Sequence, residues 1–303
     1  MNITYVTHSE IDMVKWDLAI GRAVNGNMYG LSCYLNTVCP GWDALVADDY
    51  KIIMPLPHRK KLGFHYLFPP FFIQQLGIYG DEKLSVQTIN SFLHAIPAKF
   101  KLIELYLNHA NATDDSSFQI KSNNNYILRL NESYDALAKT FGTNHKRNLK
   151  DANAELQIAL LQDADALIQL FRENKGKEVK QFTTKEYQLL KQLITTCQGQ
   201  VVIKIHGVTL HNLLVAGCIT LEFNNRIVFL FSAVAPAGRT SKAMFKLVNH
   251  LIQINCNSQK ILDFEGSNNT SLASFYKGFG SELQPYLFVR KNLLPRAIKW
   301  LKE

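Results

Sequence analysis

Leu262-Asp263-Phe264-Glu265-Gly266-Ser267, and after it Tyr276-Lys277-Gly278-Phe279-Gly280, decide how this chain is read. The order is an apolar strand running into acidic residues, a glycine turn, a short helix and a glycine-flanked aromatic. It places a carboxylate at the open C-terminal end of a buried strand, where an α/β sheet builds its ligand crevice. A carboxylate there can accept a proton, or it can cap the helix that follows.

Outward from that stretch, the order of elements in the first half of the chain recurs in the second. Trp42 to Val46 and Lys51 to Leu56 read as a hairpin around Ala47-Asp48-Asp49-Tyr50, and Val201 to Ile205 with Leu213 to Leu221 read likewise around His206-Gly207-Val208. An aromatic strand follows in each copy, 64–68 and 227–231, then a loop, a helix and a further strand, 101–107 and 260–265. Trp42 and Val201, like Leu102 and Ile261, are offset by 159 residues. The helices carry apolar stripes at the α-helical period, Val86, Ile89, Leu93 and Ile96 in one copy and Met244, Leu247, Val248 and Leu251 in the other. Two further helices are expected over 131–141 and 143–153, broken at Gly142, and Thr183 with Glu186 forms a capping box. The segment 111–125 has linker composition, so the domains are expected to be 1–125 and 126–303.

Composition narrows the classes. A chain of 303 residues, 47% hydrophobic, has enough apolar material for two medium cores. No run of about 18 apolar residues is present, and Met1-Asn2-Ile3-Thr4-Tyr5 lacks the layout of a secretion signal, so a cytoplasmic protein is expected. The five cysteines, 33, 39, 197, 218 and 256, show no CxxC pair or metal-ligand spacing and read as reduced thiols. The net charge of +8 is uneven: residues 1–125 hold 10 Lys and Arg against 11 Asp and Glu, residues 126–303 hold 23 against 14. The basic field of the second half favours anionic partners, nucleic acid or phosphorylated donors.

Helices, a meander of strands, then helix-strand pairs make an α+β order. It resembles the GNAT acyltransferase fold. At the residue level, Tyr126-Ile127-Leu128-Arg129-Leu130, Tyr134, His145-Lys146-Arg147-Asn148-Leu149-Lys150, and Asp263 to Ser267 with Phe275 and Gly278-Phe279-Gly280 resemble the tandem-GNAT group that includes the Fem-type peptidyltransferases. That resemblance implies two GNAT-like domains, each a mixed, mostly antiparallel sheet flanked by helices. It also implies an N-acyltransferase that joins an acyl or aminoacyl group to an amine, with the second copy catalytic. The donor would be an acyl-CoA or an aminoacyl-tRNA, with no tightly bound cofactor. The acceptor would be an amine such as a cell-wall precursor. A non-catalytic binding module, keeping only a basic groove for a nucleotide-linked or nucleic-acid partner, is the alternative.

Several positions could carry such chemistry. Ala235-Pro236-Ala237-Gly238-Arg239-Thr240-Ser241-Lys242 precedes the second-copy helix, whose free N–H groups would draw an anion. Gly238 would admit a phosphate close to the backbone, Arg239 and Lys242 would add charge, and Thr240 or Ser241 would cap the helix. The corresponding GNAT loop resembles Gln/Arg-x-x-Gly-x-Gly/Ala, and Ser241-Lys242 departs from it. Gln74-Gln75-Leu76-Gly77 is a partial match in the first copy; its glutamines could bind substrate amides or satisfy buried backbone. Lys146, Arg147 and Lys150, on a helix capped by Thr143, could grip a phosphate or carboxylate. Acylation of an amine needs a proton acceptor and a stabilised oxyanion. Glu265 is the candidate base, Lys277 the candidate for stabilising negative charge or binding a donor phosphate, and Tyr276 a weaker acid candidate.

Overall fold

The computed structural model describes residues 1–266 and 268–295. They form two compact units, one of Met1–Asn123 with the chain from Pro285, the other Asn124–Gln284. Ser267 of the opening motif and residues 296–303 lie outside the described residues.

Short 3₁₀ turns aside, the first unit runs β1 (Ile3–Val6), α1 (Met13–Arg22), α2 (Ser32–Val38), β2 (Asp43–Ala47), β3 (Ile52–Leu56), β4 (His58–Lys61), β5 (Phe64–Leu67), β6 (Tyr79–Gly80), α3 (Val86–His94), β7 (Phe100–Tyr106) and β8 (Gln119–Asn123). The second runs β9 (Tyr126–Arg129), α4 (Tyr134–Thr140), α5 (Thr143–Lys150), β10 (Gln157–Leu160), α6 (Asp165–Glu173), α7 (Thr184–Thr196), β11 (Val202–Leu210), β12 (Leu213–Phe223), β13 (Arg226–Val234), α8 (Pro236–Thr240), α9 (Ala243–Asn255), β14 (Ile261–Asp263), α10 (Thr270–Lys277) and β15 (Glu282–Leu283). β16 (Tyr286–Asn292) then rejoins the first unit, pairing with β7 and β8 on its two edges. The expectation of one domain over 126–303 is corrected on this point: the ladder to β7 and β8 draws the chain beyond Gln284 into the first unit.

The second unit is built on one sheet, ordered β10-β11-β12-β13-β14-β9-β15. β13 and β14 pair in parallel, and the other neighbours pair antiparallel. The stripe of α9 buries Leu247, Val248, Leu251 and Ile252 in the core beside Phe229 and Leu262, each contributing about 2 kcal/mol of apolar burial. The Thr183–Glu186 capping box starts α7. Gly142, not Thr143, is the N-cap of α5, and it makes no side-chain cap bond.

The first unit spreads its strands over two sheets, β1-β2-β3-β6 and β4-β5-β7-β16-β8. Pro55 and Pro57 sit at the break, where a missing N–H denies the ladder a donor. Within the second sheet β5 and β7 are parallel, as β13 and β14 are in the second unit. Past the end of β5, however, the chain returns to the edge of β7. Leu76 bridges Leu107 in parallel, and its N–H donates to the Tyr106 carbonyl at 3.0 Å. Buried amides clamp this return. Asn108 Nδ2 donates to the carbonyls of Leu76 (2.9 Å) and Ile78 (3.2 Å), Asn111 Oδ1 accepts the Ile78 N–H (2.8 Å), and Asn25 Nδ2 donates to the Ile78 carbonyl (2.8 Å). Gly77 at φ +87° is required here, since a Cβ would stand 2.2 Å from Asn111 Oδ1.

Candidate active site

β13 pairs with β14 only from Arg226 to Val228, opposite Ile261 to Asp263, and then continues to Val234 while β14 ends. β14 stops at this fork while β13 runs on, and a cavity of about 310 Å³ lies against the free stretch of β13. Phe229, Ser232 and Val234 of β13 form one wall, Met244 and Phe245 of α9 another, and Leu272, Phe275 and Tyr276 of α10 a third. Gly238, Arg239 and Lys242 sit at the α8–α9 junction on its rim. An apolar interior with cations at the mouth suits a ligand that has an apolar reactive end and an anionic body.

The α8–α9 junction differs from its expected form. Thr240 ends α8 with its hydroxyl donating to the Pro236 carbonyl, and Ser241 is the C-cap of α8, so neither caps the long helix. Lys242 does so from a left-handed backbone, φ +63°, without a side-chain bond to the first turn of α9. The N–H groups of that turn thus have no side-chain cap from Lys242. Gly238 serves packing: a Cβ there would lie 2.2 Å from the Val215 carbonyl oxygen of β12. Arg239 is exposed. Glu178, held below the usual carboxylate range by Lys175 and further by Arg239, places the turn Lys175–Lys177 within electrostatic reach of α8.

At the C-terminal end of β14 the opening motif is tightly ordered. Asp263, 3% exposed, forms an ion pair with Arg226, and its Oδ1 accepts the Glu265 N–H at 2.8 Å. Glu265 is half-buried with φ +55°, a left-handed conformation uncommon for a residue with a side chain, and Gly266 follows at φ +75°. The Phe264 ring stacks on Tyr276 with centroids 4.6 Å apart. Burial, and then the charge of Glu265, push the Tyr276 hydroxyl well above the ordinary tyrosine range, so it stays protonated. Lys277 is exposed, with Nζ 5.4 Å from the centre of the Tyr126 ring, and does not line the cavity. Tyr126 adjoins the motif because its carbonyl accepts the Phe264 N–H at 3.0 Å.

Among the expected residues, the fork brings together Gly238, Arg239, Lys242 and Tyr276; Glu265 does not line the cavity, and its charge is felt by the Tyr276 hydroxyl. It does not bring in the α5 cluster. Lys146 donates to the Lys139 carbonyl and Arg147 to Asn144, while Lys150 is exposed, and none of the three lines the cavity. Gln74 and Gln75 are buried in the first unit, where Gln75 donates to the Gln74 side chain and accepts the His109 N–H. As cavity lining, Phe229, Phe245 and Leu272 were not singled out in the sequence, because their spacing is that of ordinary core. No group of His, Cys, Asp or Glu among the described residues could hold a metal ion. No helix among them is long and apolar enough to cross a membrane.

No protein-family profile and no curated protein matches the sequence. Solved structures do match in fold. FemX superposes with a TM-score of 0.69 at 11% identity, over 100% of both chains. A tandem GNAT protein from the clavulanic acid biosynthesis pathway gives 0.56 at 10% identity, over 97% of this chain and 99% of the other. L-PGS from Bacillus licheniformis gives 0.51 at 13% identity, over 96% and 94%. The chain therefore has the tandem GNAT-like fold seen in FemX.

Proposed function

We propose that this protein is an N-acyltransferase whose donor lies in the fork of the second unit and whose acceptor is an amine. The observation that carries this reading is the cavity along β13 beyond its fork with β14, apolar within and cationic at its rim. The equivalent fork of the first unit is filled by its own Leu76-Gly77-Ile78, locked by Asn108 and Asn111, so the second unit is the catalytic copy. In the transfer step the neutral amine attacks the donor carbonyl, Glu265 takes the proton the amine loses, and as the bond from the carbonyl carbon to the donor oxygen or sulfur breaks, Glu265 returns that proton, so that the leaving group departs as a free hydroxyl or thiol. Lys277, at the same end of the sheet, would stabilise the developing negative charge, and Tyr276 would donate a hydrogen bond. For this the Lys277 ammonium must swing from the Tyr126 ring toward the fork.

The preferred donor is an aminoacyl-tRNA. The Lys242 side chain projects from the left-handed position where a glycine would let a pyrophosphate lie against the backbone, and Lys175, Lys177, Arg239 and Lys242 offer side-chain charge to an extended polyanion. An acyl-CoA is the second reading, favoured by the open fork itself. Thermal shift with acetyl-CoA beside gel shift with charged and uncharged tRNA separates them. Binding of charged tRNA that is lost in Arg239→Glu/Lys242→Glu supports the first; stabilisation by acetyl-CoA alone supports the second. Binding of charged and uncharged tRNA alike without any transfer would support a non-catalytic module instead.

A further inference from the structure

Resting on the acyltransferase reading, we propose that Asp263 is a positioning residue, which with Arg226 holds the Glu265 backbone in its left-handed turn beside the buried Phe264–Tyr276 stack and so sets where its carboxylate stands. The two oxygens of Asp263 have separate tasks. Oδ2 is fixed by the Arg226 guanidinium, which is itself tied to Gln284 Oε1 at 3.1 Å, and Oδ1 accepts the Glu265 N–H. The carboxylate is fixed by burial and by its ion pair before it receives the N–H, so it acts as a rigid acceptor. Rigidity matters because Glu265 occupies a conformation that its own side chain disfavours, and such strain persists only where the surroundings over-determine it. Glycine would relieve that strain at no steric cost, yet a carboxylate stands here. Phe264, between the two acids, is buried against Tyr276, so the chain cannot rotate about this point without breaking that stack. Arg226 and Asp263 thus fix the Glu265 turn from the β12–β13 turn, and Phe264 ties the same segment to Tyr276 on the cavity wall.

Two paired variants separate positioning from mere stability. Asp263→Leu with Arg226→Leu removes the acceptor without leaving an unpaired buried charge, an exchange that folded proteins commonly tolerate. Asp263→Asn with Arg226→Gln removes the charges but keeps a carbonyl oxygen for the Glu265 N–H. Transfer is measured with alanyl-tRNA and with acetyl-CoA as donors, and in parallel the Glu265 carboxylate is titrated by ¹³C NMR, assigned through Glu265→Gln. The leucine pair is expected to lower kcat about tenfold or more with KM unchanged and to shift the Glu265 titration. The amide pair is expected to restore most of both. Wild-type kcat and an unshifted titration in the leucine pair would overturn the proposal, as would losses in both pairs that simply track Tm. Should the wild type transfer nothing from either donor, the acyltransferase reading fails on its own. The titration then decides alone whether Asp263 places Glu265, and an unshifted curve overturns it.

Discussion

Glu265 sits at φ +55°, where a glycine would save roughly 1 kcal/mol of steric strain. Glu265→Gly is therefore expected to leave Tm unchanged or slightly raised while transfer is lost, and Glu265→Gln to slow transfer at constant Tm. A large fall in Tm for either would make the carboxylate structural. Acid sensitivity belongs at this scale too. Burial, with the nearby charges of His250 and Lys204, lowers His206 to about 4. Its folded value lies below the unfolded 6.5, so the unfolded chain binds the proton first and stability falls as pH drops from about 6.5 toward 4. His206→Leu should flatten that limb of a Tm-against-pH curve; an unchanged limb would place the acid sensitivity elsewhere. The strand end at Asp263 and the turn through Glu265 and Gly266 were legible in the sequence because an apolar strand, acids and a glycine stand together. The Arg226–Asp263 pair was not, since its partners are 37 residues apart and nothing local links them.

Elements set which residues reach the fork. α8 lies so close to β12 that Gly238→Ala should cost about 2 kcal/mol through overpacking against the Val215 carbonyl, read as a shifted denaturant midpoint with unchanged slope. In the first unit Asn108→Ala strips the Leu76 and Ile78 carbonyls of a buried donor, and a loss of about 2 kcal/mol is expected. The helix stripes, the first hairpin and the Thr183 capping box could be read directly, because each is a local pattern of period or spacing; the second hairpin turns at His211-Asn212, not at the expected His206-Gly207-Val208, which pair inside the ladder of β11 with β12. The break between α8 and α9 could not be read. Left-handed backbone is usually announced by Gly or Asn, and here Lys242 adopts it, which is why Thr240 and Ser241 looked like caps.

At the level of the whole chain, the repeat at an offset of 159 residues was visible as an order of elements, and it fixed the tandem architecture. The return of β16 to the first unit was hidden, because Tyr286 pairs with Asn123 across most of the second unit's sequence. The cavity was hidden as well: its apolar walls obey the same pattern as the core they continue. Each unit has one parallel pair of strands, β5 with β7 and β13 with β14, and in the first the chain returns to bridge the end of β7 with its own backbone. The open fork of the second unit, we propose, holds the acyl donor. Photocrosslinking tests it most directly, with alanyl-tRNA and acyl-CoA probes that carry a diazirine on the acyl group and crosslinked peptides mapped by mass spectrometry. The expected result is labelling within Phe229–Val234, Met244–Phe245 or Leu272–Tyr276, with none in 73–78. Labelling confined to the first unit, or absent from the fork for both donors, would contradict it.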